Sequence, residues 1–426
     1  MNRYTALAGL GIVAAASAAH ADPTGGADDT ALAATSAQPA ITIPVVADGD
    51  RVFWKNDLRF TSGDGQTTYR IGGRIHYDGS WIGQDDAIQA AGFNEDDSWR
   101  FRRARLYVKG QLYGNIGFNA QYDFAGTDVA DFTDVYMTID NFLVGELRVG
   151  QMKEPFSLEW QTSSNDITFL ERSLAYNLSP MRSVGFMLSD WNEENALGWA
   201  AGIFGSMPDT SVGDANVGRD GYAGTGRVTW APTYDPDNDQ IVHVGASVSI
   251  RGAGQVDFGG ISYEISGFGG GAGAAIPLED STHLGVEAAG VFGPFSVQAE
   301  FNSATQNGTG SVDPDATGFY LQGSYFLTGE SRPYTHGHFG RVTPESNWRG
   351  FGEDGTGAWE LAARYSMLDV DNVAEASGLS AGVNWYLNPN ARIMLNYVMQ
   401  SIDDSNGGGG LDADADAISA RFQVTF

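Results

Sequence analysis

Positive charge is scarce in this chain and unevenly placed. Its 426 residues carry 24 Lys plus Arg against 53 Asp plus Glu, a formal net charge of −29. Yet the thirteen residues Ser98–Gly110, SWRFRRARLYVKG, hold four arginines and Lys109, one of only three lysines. A guanidinium is a planar fork that grips oxyanions through parallel N–H donors. The chemistry these residues offer is anion recognition. Residue types suited to covalent catalysis are thin. There is no cysteine, which removes thiol nucleophiles, thiolate metal sites and a disulfide framework. The six histidines form no HExxH motif and no evident Ser–His–carboxylate set. His336-Gly337-His338 reads as a solvated loop rather than a metal site. Gly267–Ala275, GFGGGAGAA, does not lead from a strand into a helix as a phosphate-binding loop does, and reads as a long flexible or inward-folded loop. No catalytic residue, metal or cofactor is expected, and the acidic balance argues against nucleic acid as a partner.

The elements that must position these arginines follow from periodicity. Residues 1–21 combine Arg3, an apolar stretch from Leu7 to Ala16 and Ala19-His20-Ala21, the pattern of a secretory signal peptide. Residues 22–56 are rich in Ala, Thr, Asp and Pro and read as a flexible leader. No other apolar run reaches the ~20 residues of a membrane-spanning helix. From residue 57 to 426 the chain alternates apolar with polar residues in segments separated by turn residues. In AWELAARYSML, Trp359, Leu361, Ala363, Tyr365 and Met367 oppose Glu360, Ala362, Arg364 and Ser366. The last segment, ISARFQVTF, alternates to a terminal Phe426, resembling the recognition signal of outer-membrane barrels.

Sixteen such segments are predicted, starting near residues 67, 98, 116, 131, 145, 184, 197, 223, 240, 283, 294, 315, 355, 377, 390 and 416. Short turns alternate with long loops, and aromatics such as Trp81, Trp230, Trp359 and Trp385 end the apolar faces. The fold class is therefore all-β, a transmembrane antiparallel β-barrel of about 16 strands. The 328–354 connection breaks the alternation, because it falls at the short-turn end. A large soluble β-sandwich, helix or propeller shares the alternation but not the polar, Gly- and Asn-rich second face.

Parity then assigns the charges. With Ala104, Leu106 and Val108 toward lipid, Arg103, Arg105 and Lys109 face the lumen. The same test sends Arg70, Arg74, Arg148, Arg227, Arg251, Arg364, Arg392 and Arg421 inward, since a cation on the lipid face at mid-membrane costs ~2–4 kcal/mol. Arg100 and Arg102 have the opposite parity, which places them above the apolar band or at a bulge. Lumen acids (Asp78, Asp123, Asp134, Glu146, Glu300 and Glu360) brace some arginines. The cluster Arg70, Arg74, Arg103, Arg105 and Lys109 has few acids around it and is expected to draw anions.

Several stretches resemble the phosphate-selective porin O and P family: FRRARLYVKG, LRVGQMKEPFSLEWQTSSNDITFLERSL, YLQGSYFLTGESRPY, GAWELAARYS and GVNWYLNPNARIMLNYV. The resemblance runs from about residue 55 to 426. It implies a homotrimeric outer-membrane barrel that passes small anions such as phosphate or chloride along arginines, past an inward-folded constriction loop. That loop corresponds to residues 155–183 and carries Glu159, Asp166, Glu171, Arg172 and Arg182. The family's dense basic run before the eighth strand is here VGRDGYAGTGRVTW, with only Arg219 and Arg227. A weakly selective general diffusion porin, a non-conducting barrel acting as anchor or adhesin, and an outer-membrane enzyme are the other readings. The acidic loops either keep the surface solvated or bind divalent cations that bridge lipopolysaccharide.

Overall fold

Why alternating segments close into a barrel is visible in the side-chain sorting of the computed structural model. It describes residues 49–84, 97–125, 131–205, 221–256, 264–266, 276–310, 313–371, 374–403 and 412–426, all within the unit Ala40–Phe426. The spanning strands are β3 (Thr68–Gln84), β4 (Ser98–Leu112), β5 (Ile116–Asp123), β6 (Asp131–Phe142), β7 (Gly145–Lys153) and β8 (Arg182–Asn192). They continue with β9 (Leu197–Gly205), β10 (Tyr222–Asp235), β11 (Gln240–Arg251), β13 (Ile276–Phe292), β14 (Phe295–Gly308) and β15 (Ala316–Phe326). The last four are β18 (Ala358–Val370), β19 (Ala374–Asn388), β20 (Ala391–Asp403) and β21 (Asp412–Thr425). These are the sixteen predicted segments, each antiparallel to the next, and β21 returns to pair with β3 through Val424↔Ile75 and Ile418↔Trp81. Closure removes the unpaired edges that lipid would not tolerate.

The sidedness is inverted relative to a soluble domain. Leu106, Val108, Leu321, Tyr365, Leu395 and Phe422 stand exposed on the outer face. Gln298, Asn302, Asn384, Asn396 and Gln400 are buried inside. No described helix is long and apolar enough to cross a membrane. Aromatics ring the short-turn end, where Trp359 and Trp385 stack at 4.9 Å.

Structure begins before the expected boundary at residue 57. Strand β1 (Arg51–Trp54) lies within the segment read as leader and pairs with β2 (Leu58–Thr61), which itself pairs with β3. A three-residue strand, β12 (Gly254–Val256), extends the β11–β13 connection. The irregular 328–354 connection does leave from the short-turn end. It forms a hairpin of β16 (Tyr334–Thr335) and β17 (His338–Phe339) whose Tyr334 and Phe339 side chains turn into the lumen.

Candidate permeation site

Residues 154–181 leave β7 and cross the lumen to the opposite wall. A single turn of helix α1 (Leu158–Gln161) starts there because Ser157 caps it and because the Glu300 carboxylate of β14 accepts from the free amides of Leu158 and Glu159, at 3.1 and 2.6 Å. Beyond α1 the loop has little regular structure, so its carbonyls need partners in the barrel. The wall supplies them in strand order. Asn302 bonds Ala175 O, Arg364 bonds Glu171 O, Asn384 bonds Thr168 O, Arg392 bonds Ile167 O, and Arg421 bonds Leu170 O. Gln423 bonds Asn165 O. Backbone packing is close: a methyl group on Gly318 would lie 3.0 Å from the Ala175 Cα. Strands β13–β21 and β3 therefore hold the loop, and the basic residues Arg364, Arg392 and Arg421 are buried in doing so.

Glu159 and Glu171 belong to this fastening. Glu159 accepts from the Ser173 amide and hydroxyl and lies 3.4 Å from Arg364. Glu171 takes both Arg102, at 2.7 Å, and Arg421, at 3.2 Å. Arg172 donates to the carbonyls of Glu159 and Thr162. Asp166 lines a small cleft with Arg341 and Arg392. Arg182 is not part of the loop: it opens β8 and bonds Asp134 of β6 through two nitrogens, at 3.0 and 3.1 Å. The strand starts there because Arg182 already pairs with Lys153 across the β7–β8 ladder.

A bulge resolves the two arginines of wrong parity. The β3–β4 register passes from His76↔Arg103 to Tyr77↔Phe101, leaving Arg102 as the extra residue. Arg102 and Arg103 both turn inward, Trp99 and Phe101 remain on the outer face, and Arg100 reaches Ser266 in the lumen. Glu264–Ser266 of the long β11–β13 connection lie inside, with Glu264 bonded to Arg364 and Ser380. The Gly-rich run 267–275 lies outside the described residues.

The face left open runs from β3 to β11 and contains all eight predicted pore residues. On β3 and β4 two lumen rungs, separated by Gly72↔Tyr107, set like charges opposite one another, Arg70↔Lys109 and Arg74↔Arg105. Directly opposed like charges destabilise a sheet, so pairing across the two strands does not account for them. Four of the eight have close carboxylate partners: Arg105–Asp123 at 2.6 Å, Arg148–Glu146 at 2.7 Å, Arg227–Glu287 at 2.5 Å and Arg251–Glu154 at 2.8 Å. Arg70 stands 3.6 Å from Asp57, which is also held by Arg59. Among the described residues Arg74 bonds Ser163 and Ser164, and Lys109 lies over the Tyr107 ring. Arg103 is 4% exposed, and its Nε and Nη1 find no acceptor among the described residues.

One residue that parity alone did not single out, Lys153, completes this face. Lys153 donates to the carbonyls of Trp160 and Gln161 at the end of α1. With Arg172 and Arg182 it places three cations within 5.1 Å of the Trp160 ring centroid. The sequence signal was Lys153-Glu154-Pro155, a charged pair where a strand must stop.

From the short-turn end the β16–β17 hairpin covers part of the lumen. Tyr334 bonds His243 at 2.6 Å, Arg227 bonds Gly337 O at 2.8 Å, and Tyr334 and Phe339 pack with Leu158 of α1. At its tip, a hydrogen bond from His336 holds the Glu193 carboxyl below the usual carboxylate range. Away from the hairpin lies a cavity of about 480 Å³ that includes Arg70, Lys109 and Arg148. It adjoins a second of about 760 Å³ that includes Arg148, Arg227 and His338. No described cluster of His, Asp and Glu is arranged to hold a metal ion.

A closed sixteen-strand barrel, apolar outside, wet inside and narrowed by an inward loop, is an outer-membrane porin, a channel of the Gram-negative outer membrane. The chain belongs to the phosphate-selective porin O and P family, matched over residues 70–426. It is similar to Porin O of Pseudomonas aeruginosa, 28% identical over 459 residues that cover 93% of this chain and 98% of the relative. An uncharacterised protein of Caulobacter vibrioides is 27% identical over 403 residues, covering 88% of this chain and 77% of that one. Among solved structures, an anion-selective porin from Comamonas acidovorans superposes with a TM-score of 0.55 at 13% identity, covering 84% of this chain and 100% of that chain. The outer-membrane channel DcaP of Acinetobacter baumannii gives 0.54 at 12% identity, covering 86% and 99%. These two likenesses concern the fold.

Proposed function

We propose that this porin passes small anions passively along the β3–β11 face and performs no catalysis. The observation that carries the reading is the pair of like-charge rungs, Arg70↔Lys109 and Arg74↔Arg105, on the half of the lumen that the loop leaves open. In a narrow, low-dielectric passage such a row attracts anions and repels cations. The residues assigned to the path are Arg70, Arg74, Arg103, Arg105, Lys109, Arg148, Arg227 and Arg251. The names Porin O and anion-selective porin borne by similar proteins agree with this.

Planar-bilayer recording under a potassium chloride gradient tests it. The reversal potential is expected to have the sign of chloride preference, and a preference for potassium overturns the reading. Phosphate, the anion in the family's description, is expected to block chloride current when titrated at millimolar levels. Absence of block, with chloride preference retained, leaves a weakly selective porin. That second reading has its own support, since of the two basic residues in VGRDGYAGTGRVTW only Arg227, within β10, is among the described residues, Arg219 lying outside them. Homotrimer assembly, contact with lipopolysaccharide and removal of residues 1–21 as a signal peptide are part of the same proposal. Cross-linking in native membranes and N-terminal sequencing of the exported protein test the first and last.

A further inference from the structure

Between the lumen hairpin and β18, the chain leaves the barrel interior and wraps over the outside of the rim. The segment Ser346–Gly357 is tied down by backbone bonds from Trp348 N to Leu387 O and from Gly357 N to Ser346 O, and by Trp385 Nε1 to Thr356 O. These bonds seat Trp348 against Trp385, with ring centroids 5.2 Å apart, and Trp385 stacks in turn on Trp359. Trp348 therefore adds a third indole to the aromatic row at the short-turn end. Phe351 packs edge-on against Trp348 at 5.6 Å and is otherwise bare, 91% exposed. Two glycines with positive φ, Gly350 and Gly352, flank it and turn the tip outward.

A large apolar side chain held in the open on a tethered tip is costly in water. Its location identifies what covers it. The wedge is continuous with the outward-facing Trp359 and Trp385, which belong to the barrel's lipid-facing surface, and amphipathic aromatics favour the headgroup level of a bilayer. We propose that Trp348 and Phe351 form a second, non-spanning attachment to the membrane, inserted in the phospholipid interface of the leaflet at the short-turn end. Arg349 stands exposed between them with donors for a lipid phosphate, whereas Glu353 and Asp354 follow within the same tip. Insertion is therefore driven by the aromatic rings and depends little on salt.

The absence of cysteine makes the test direct. A single Phe351→Cys variant of the full chain is labelled with an environment-sensitive fluorophore. It is reconstituted into phosphatidylethanolamine–phosphatidylglycerol vesicles, with and without brominated acyl chains. Tyr113→Cys serves as comparison, because Tyr113 is 81% exposed in the β4–β5 turn at the same end of the barrel. The expected result is blue-shifted emission and strong bromine quenching at position 351, unchanged in high salt, with water-like emission at 113. Water-like emission at 351 overturns the proposal. So does quenching equal to that at 113, and so does a probe that is shielded yet unquenched and cross-links to a second copy. Retained channel conductance in the labelled protein establishes that the barrel is folded.

Discussion

At the scale of single residues, the lumen holds two kinds of arginine that look alike in sequence. Arg421 is fully buried between Asp78 and the loop carbonyl of Leu170. Replacing it with methionine leaves Asp78 uncompensated, and breaking such a pair costs about 3–5 kcal/mol. Arg421→Met is therefore expected to lower the unfolding midpoint in denaturant markedly, and also to loosen the loop. Lys109 makes no such bond, and it faces the open cavity beside Arg70. Removing one charge about 6 Å from a passing ion changes its energy by about 0.7 kcal/mol even at water's dielectric constant, about threefold in partitioning. Potassium gains what chloride loses, so Lys109→Gln should reduce the chloride-to-potassium permeability ratio by about the square of that factor, roughly ninefold, while leaving stability unchanged. Equal losses of stability in both variants would show that Lys109 also braces the wall.

At the scale of elements, the bulge at Arg102 and the two lumen intrusions decide the shape of the passage. Each was partly legible. The wrong parity of Arg100 and Arg102 signalled a bulge, and the length of the 328–354 connection signalled more than a turn. What periodicity does not carry is where an irregular segment lies once it leaves the wall. The β16–β17 hairpin enters the lumen because Tyr334 and Phe339 find an apolar seat with Leu158, Ile241 and Val291. Replacing Tyr334–Phe339 with a short Gly-Ser link should raise single-channel conductance. Selectivity should keep its sign, because Arg70 and Lys109 lie across the lumen from the hairpin's contacts. Recordings in which conductance is unchanged would place the narrowest point at the 154–181 loop alone.

At the scale of the whole molecule, base is gathered on the barrel wall while acid is spread more widely along the chain. Much of the acid behind the net charge of −29 lies in polar stretches of sequence such as Asp85-Asp86 and Glu95-Asp96-Asp97, while the arginines of the wall point inward beside lumen carboxylates such as Asp123 and Glu287. A field that selects ions over a path of this kind is screened by salt, with a Debye length of about 10 Å at 0.1 M and about 3 Å at 1 M. For a fixed concentration ratio across the bilayer, the reversal potential should shrink in magnitude as the mean salt rises from 0.1 to 1 M. A value independent of salt would point to selection by size rather than by charge.

The sequence by itself determined the barrel. Alternation at period two has one meaning for a chain with a wet and a lipid face, and all sixteen strands start within a few residues of their predicted positions, apart from β13, which begins earlier at Ile276. Parity also sorted the charges on the regular strands, because the cost of a cation in lipid acts on each residue separately, but Arg102 turns inward only through the bulge. Only the tertiary structure decided what each inward charge does. Arg364, Arg392 and Arg421 are committed to loop carbonyls, Arg227 and Arg251 to carboxylates, and Arg74, Arg103 and Lys109, among the described residues, to neither. The partners come from segments up to 343 residues away, as with Asp78 and Arg421. No local pattern encodes them, since a loop carbonyl reads the same in sequence wherever the loop comes to rest.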